Sequence, residues 1–252
     1  MNSQALSRIL TLSALVLLAL LAIVHPAFSA STTEALFRDG VNAYRAGDYP
    51  HAAIAFQAVA NHQPGSGAYQ NLGLAEWQQG RVGQAVLAWE RALWLAPFNR
   101  AARNDLRFAR RMSQLESPDL AWYEVASSWL PMNWWAWIAS LSLWLAVGMG
   151  ILPGIFRVRK AAWHQAVAAL GLAVFLLSLP AHVGITTRSR IGFVLQKDTP
   201  LRLTPTHEAQ MITQLAPGEP IRLERARGNY LLVRASRSLG WVEKSQLGFI
   251  SP

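Results

Sequence analysis

Charge disappears from two long stretches of this chain, and the rest of the pattern is arranged around them. Residues 134–156 (WWAWIASLSLWLAVGMGILPGIF) and 161–187 (AAWHQAVAALGLAVFLLSLPAHVGITT) run for 23 and 27 residues without a formal charge. As helices they would extend roughly 34 and 40 Å, against about 30 Å of bilayer hydrocarbon. Arg157, Arg159 and Lys160 stand between them. The pattern predicts a transmembrane hairpin: a first helix over 134–156, a loop over 157–160 and a second helix over 161–187. The alternative is a helical pair in a soluble core, which needs far fewer consecutive uncharged positions. Three basic residues in so short a loop predict that it is cytoplasmic, with both flanks across the membrane. Trp129, Trp134, Trp135 and Trp137 crowd one end of the first span and Trp163 begins the second, where amphipathic rings favour headgroup depth.

Before the hairpin the apolar period is that of helices, and it repeats. Gly40, Gly47, Ala52, Phe56 and Pro64 recur 33 residues later as Gly73, Gly80, Ala85, Trp89 and Pro97. A helix–turn–helix unit needs these types: a Gly for close approach, a Gly for the turn, an Ala at the crossing, an aromatic filler and a terminating Pro. Residues 99–115 (NRAARNDLRFARRMSQL) predict a further helix capping the stack, so that 31–115 forms one helical unit. Arg100, Arg103, Arg107, Arg110 and Arg111 make a basic stripe on it. That stripe reads as a solvated face or as a contact for lipid phosphates or an acidic partner. Residues 116–133 form a juxtamembrane linker, with an apolar aromatic stretch between Pro118 and Pro131 suited to lying along the interface as an amphipathic helix.

After the hairpin the period changes to that of strands. FVLQ, LRLT, MITQL, IRLERA, YLLVRA and GWVEKSQL are separated by Pro200, Pro205, Pro217-Gly218, Gly228-Asn229 and Gly240. Short strands at this spacing predict a small β-barrel over 191–252. At the other end, residues 1–29 predict an export signal. Arg8 opens it, Ile9 to Val24 is its apolar core, and Ala27-Phe28-Ser29 offers a cleavage site. An uncleaved signal anchor is the alternative, and both place the helical unit outside the cytoplasm.

Composition adds three constraints. The chain has 252 residues, 52% hydrophobic and 15% charged, in keeping with membrane segments plus ordinary globular material. Its net charge of +9 is spread among membrane segments, which predicts affinity for anionic headgroups rather than nucleic acid. The absence of cysteine excludes disulfides, thiolate catalysis and Cys-based zinc sites. No catalytic or nucleotide motif is present. His25, His51, His62, His164, His182 and His207 have no ligand-spaced partners, so no metal and no cofactor are expected. His164 and His182, near the ends of the second span, read as interfacial anchors rather than a proton pathway, since neither span holds a carboxylate.

The repeat resembles the tetratricopeptide (TPR) pattern, through Tyr69, Leu72, Gly73, Gly80, Ala85, Trp89, Ala92 and Pro97 in its second copy; the first departs from it at Asp39. Pro217-Gly218, Tyr230 and Gly240-Trp241-Val242 resemble bacterial SH3-like domains. The fold class that follows is a multidomain membrane protein: α-helical TPR hairpins, a two-helix transmembrane hairpin and a small all-β SH3-like barrel. The TPR resemblance implies a concave groove lined by Phe37, Val41, Tyr44 and Arg45, then Gln70, Leu74, Trp77 and Gln78, and extended by Asn104, Phe108 and Arg111. The alternative is that most of these aromatics belong to the core. In its order of segments the chain resembles the BatE-like proteins of the bacterial aerotolerance (Bat) group. That implies a non-enzymatic inner-membrane scaffold with its soluble domains in the periplasm. It also implies partners of three kinds: von Willebrand A-domain membrane proteins, a BatD-like protein and a MoxR-type ATPase. A peptidoglycan-binding anchor that recruits an enzyme through its TPR is the second reading, and an enzyme subunit completed by a partner is the third.

Overall fold

A computed structural model describes residues 30–155, 161–236 and 238–251. The signal expected over 1–29 and the basic loop 157–160 lie outside them.

Among the described residues, five helices come first: α1 (Ala30–Arg45), α2 (Tyr49–His62), α3 (Ser66–Gln78), α4 (Val82–Leu95) and α5 (Arg100–Met112). They pair in sequence order as antiparallel hairpins, and the 33-residue repeat shows why. A Cβ at Gly40 would sit 2.9 Å from the Phe56 ring, and one at Gly73 would sit 2.5 Å from Trp89 Nε1. Neither position admits a side chain without displacing the aromatic that fills the hairpin. Gly47 and Gly80, which turn the chain between helices, have φ of +80° and +72°, a region open to Gly and strained for other residues. Ala52, Ala85, Phe56 and Trp89 are all buried. These four pairs of the repeat therefore do the same physical job twice. Asp48 caps α2 by accepting from the His51 backbone N–H, and Asn99 caps α5 by accepting from that of Ala102.

A short helix, α6 (Trp122–Ser127), precedes α7 (Met132–Ile155) and α8 (Ala162–Arg188). α7 and α8 are 24 and 27 residues long and are apolar enough to cross a membrane. They pack side by side where Gly171 faces backbone: a Cβ there would sit 2.8 Å from the Ser142 carbonyl oxygen. Small residues at such a crossing let helix backbones meet where no hydrophobic force drives them together. Their outward faces stay uncovered, with Trp137, Leu141, Trp144 and Leu177 all exposed. A helical pair in a soluble core would hide these side chains.

Seven short strands form one antiparallel sheet: β1 (Ile191–Val194), β2 (Thr199–Arg202), β3 (Met211–Leu215), β4 (Pro220–Arg227), β5 (Tyr230–Arg234), β6 (Leu239–Glu243) and β7 (Leu247–Phe249). Their order is β3-β2-β6-β5-β4-β1-β7. Gly228, with φ of +58°, turns β4 into β5, where Arg227 pairs with Tyr230. Alternate residues enclose a core of Val194, Leu201, Leu215, Ile221, Leu231, Val233, Val242 and Leu247. β7 is the one strand that the alternation of apolar positions does not announce.

The helical unit and the sheet share a hydrophobic core. Ile191, Phe193 and Ile250 belong to the same buried cluster as Phe56, Leu72, Val86 and Trp89. The interface is a backbone-close contact on α4. A Cβ at Gly83 would sit 2.3 Å from the Val194 carbonyl oxygen, and one at Gly248 would sit 2.3 Å from Leu87 Cδ2. Arg91 Nε donates to the Phe249 carbonyl at 3.0 Å.

Candidate binding surfaces

The eleven groove positions divide into four groups. Phe37 packs edge-on against Phe56 at 5.5 Å, and Val41 and Leu74 lie half-buried against the helical core. Tyr44 packs edge-on against Tyr49 at 5.3 Å beside the helical core, and Gln70 accepts a 3.5 Å hydrogen bond from Asn99 Nδ2. Trp77 and Phe108 do meet, edge-on at 5.8 Å, and Trp77 also leans on Trp89 at 6.0 Å. Phe108 remains 47% exposed. Arg45, Gln78, Asn104 and Arg111 are exposed, and Asn104 accepts from Arg107. The aromatic members thus lean inward, and the accessible surface is Phe108 with its polar and cationic neighbours.

The basic stripe of α5 is not a uniform outer face. Arg110 turns in and forms an ion pair with Glu90 of α4, with both side chains largely buried. Arg103 donates to the Pro97 carbonyl. Arg100, Arg107 and Arg111 are exposed.

A second charged cluster joins four segments. Glu124 of α6 is fully buried, and Arg222 of β4 donates to its two oxygens at 2.7 and 3.0 Å. The same carboxylate accepts from the Ala121 N–H at 2.9 Å, and Arg222 also donates to the Asp119 carbonyl. Arg188, the last residue of α8, donates to Ser127 Oγ at 3.3 Å and lies over the Trp94 ring at 5.0 Å. Trp135 Nε1 of α7 donates to the Ser127 carbonyl. A Cβ at Gly184 would sit 2.2 Å from the Tyr123 carbonyl oxygen, so α6 lies directly on α8. Sequence reasoning left 116–133 as a linker. The available signal was Glu124 itself, a lone carboxylate among apolar residues, which demands a partner when buried.

These two carboxyls respond oppositely to their surroundings. Burial, the largest influence on Glu90, raises its pKa against the opposing pull of Arg110 and Arg188. Burial also pushes Glu124 upward, but the Arg222 hydrogen bond, the Ala121 N–H and the Arg222 charge outweigh it and hold the carboxyl below its ordinary value. Its partners therefore favour Glu124 as the charged carboxylate.

Two concavities flank these clusters. A cleft of about 560 Å³ runs between residues 116–124 and the β4–β5 edge, with Arg222 and Arg234 on its wall. A smaller cavity of about 280 Å³ is lined by Glu90, Arg103, Arg107, Arg110, Ser128 and Arg188, with Pro97, Pro118 and Ile250. Among the described residues, no three His, Asp or Glu side chains come together as a metal site. His51 instead bonds Asp39 at 2.8 Å, and His182 Nδ1 lies 3.0 Å from the Ser178 carbonyl oxygen. Neither the family models nor the curated proteins compared with this chain match it.

Proposed function

We propose that this chain is a non-enzymatic scaffold of the bacterial inner membrane. TPR-type helical hairpins and an SH3-like strand unit, both in the periplasm, would hold partner proteins. α7 and α8 would cross the bilayer and residues 157–160 would form the cytoplasmic turn. The observation that carries this reading is the docking of the strand unit on α4 through Gly83, Gly248 and the Phe249 carbonyl. A strand unit whose β1 and β7 are committed to the helical unit forms one presenting body with it, rather than an independent grip on the cell wall. The physical equivalence of Gly40 with Gly73, Gly47 with Gly80 and Phe56 with Trp89 supports the TPR assignment. In this reading the chain is BatE-like. Its partners would include von Willebrand A-domain membrane proteins, a BatD-like protein and a MoxR-type ATPase system.

The test is purification of the full chain in mild detergent with identification of what accompanies it. Phe108→Ser with Arg111→Ala alters the accessible surface while sparing Trp77 and the core, and should release the partner. Met211→Ser with Ile212→Ser alters the exposed strand β3 instead, and should not. Release by the β3 variant alone would move the binding site to the sheet. Co-sedimentation of the purified chain with peptidoglycan would replace the scaffold by the wall-anchor reading.

A further inference from the structure

The small cavity at the meeting of α4, α5 and α8 has an unbalanced lining. Four guanidinium groups, from Arg103, Arg107, Arg110 and Arg188, surround one carboxylate, Glu90. Arg110 is paired with that carboxylate. Arg188 is spent on Ser127 and the Trp94 ring. Arg103 and Arg107 are exposed and bond only the Pro97 carbonyl and the Asn104 side chain, so neither is in an ion pair among the described residues. The cavity therefore carries positive charge available to an anion from outside.

Its position says which anion. Ser128 lies in the short turn before α7, and Arg188 ends α8, so the cavity sits where the two apolar helices leave the bilayer. Beside it, α6 and the following turn present Trp122, Val125 and Trp129 on one face, with Trp122 and Trp129 exposed to 71% and 64%. This face is opposite the buried Glu124 and Ser127, and its indoles suit headgroup depth. At about 280 Å³ the cavity is just below the usual range for small-molecule sites, roughly 300–1,000 Å³. It admits one headgroup and not a glycan strand.

We propose that this cavity binds the phosphate headgroup of an anionic phospholipid from the adjacent leaflet. Arg103 and Arg107 hold the phosphate, and the Trp122–Trp129 face lies against the neighbouring acyl region. The arginines supply charge-assisted, forked hydrogen bonds to phosphate oxygens. Arg110 and Arg188 keep the wall in place through their protein partners. The inference rests on α7 and α8 lying in a bilayer and is independent of the scaffold role.

The experiment uses the full chain reconstituted in mixed phosphatidylglycerol–phosphatidylcholine nanodiscs, released in mild detergent and read by native mass spectrometry for retained lipid. Carbonate extraction first checks insertion, so a failure of the membrane reading is seen separately. The wild type should retain phosphatidylglycerol in preference, and Arg103→Gln with Arg107→Gln should lower that preference about thirtyfold, as loss of two near-surface charges implies. Arg225→Gln with Arg227→Gln removes the same charge from the exposed end of β4 and should leave it unchanged. Millimolar inorganic phosphate should not displace the lipid. Equal retention of both lipids, an equal effect of the β4 control, or displacement by phosphate alone would each overturn the proposal. Matching circular-dichroism melts of wild type and both variants ensure that a loss is not one of folding.

Discussion

Trp89 and Gly73 are fitted to each other, and substitutions at the two sites should be strongly coupled. Trp89→Ala empties a fully buried volume and should cost about 3–5 kcal/mol. Gly73→Ala drives a methyl into the indole and should destabilise the wild type, yet cost much less in a Trp89→Leu background; a double-mutant cycle by denaturant melts measures the coupling. This pair was legible because the 33-residue repeat names both members. The pair formed by Glu124 and Arg222 was not, since 98 residues separate them and nothing local marks Arg222. Arg222→Ala at neutral pH would leave a buried charge unpaired and should cost about 3–5 kcal/mol. The sign of the pH response follows from the direction of the shift. A carboxyl held below its ordinary pKa adds stability that is present above the unfolded value and is lost as pH falls through the folded one. Glu90, shifted upward by burial, works in the opposite sense: its contribution is present at low pH and declines as pH rises. Melts from about pH 7 to about pH 3 should therefore show an acid limb that Glu124→Gln flattens.

Helix α4 carries the connection between the helical and strand units. Ala85, Val86, Leu87, Ala88 and Trp89 are buried in succession, and five consecutive buried positions mean that both sides of a helix are covered. That two-sided burial is visible in the sequence as an unbroken apolar run. The element covering the second side is not, because β1 and β7 have no local tie to it. Gly83→Val should separate the two surfaces by placing a branched side chain against the Val194 carbonyl. Hydrogen exchange should then rise in β1 and β7 and stay unchanged in the β4–β5 hairpin. The strands over 191–243 were legible from alternation and turn residues, and the two long helices from their lack of charge. α6 falls in the stretch expected as an interfacial amphipathic helix, but its packing on α8 was not legible, as its few residues serve two surfaces at once. Gly184→Val should lift it from α8 and expose Glu124, seen as increased proteolysis between residues 116 and 131.

The arrangement of the chain across a bilayer is testable with single cysteines, since the native sequence has none. Asn61→Cys and Thr206→Cys, both at exposed positions, should react with a membrane-impermeant maleimide in intact spheroplasts. Arg159→Cys should react only after lysis. Labelling of all three in intact cells, or of only one soluble unit, would reject the hairpin arrangement. The order of units along the chain was readable from changes of period, from 3.6 to unbroken apolar to 2. Their mutual packing was not. It depends on glycines that look like ordinary turn or helix residues until the surface each one faces is known.

The late position of Gly248 and Ile250 has a consequence for biogenesis. Leu87 is synthesised early, but Gly248, which closes over it, follows both apolar helices and six strands. While translation proceeds, the second hairpin stands with an unsealed greasy flank. A product interrupted after α4 and before β7 keeps part of that flank open and is a natural client for chaperones and proteases. The last strand thus serves as a completion mark, by which only chains that have reached β7 acquire a finished core.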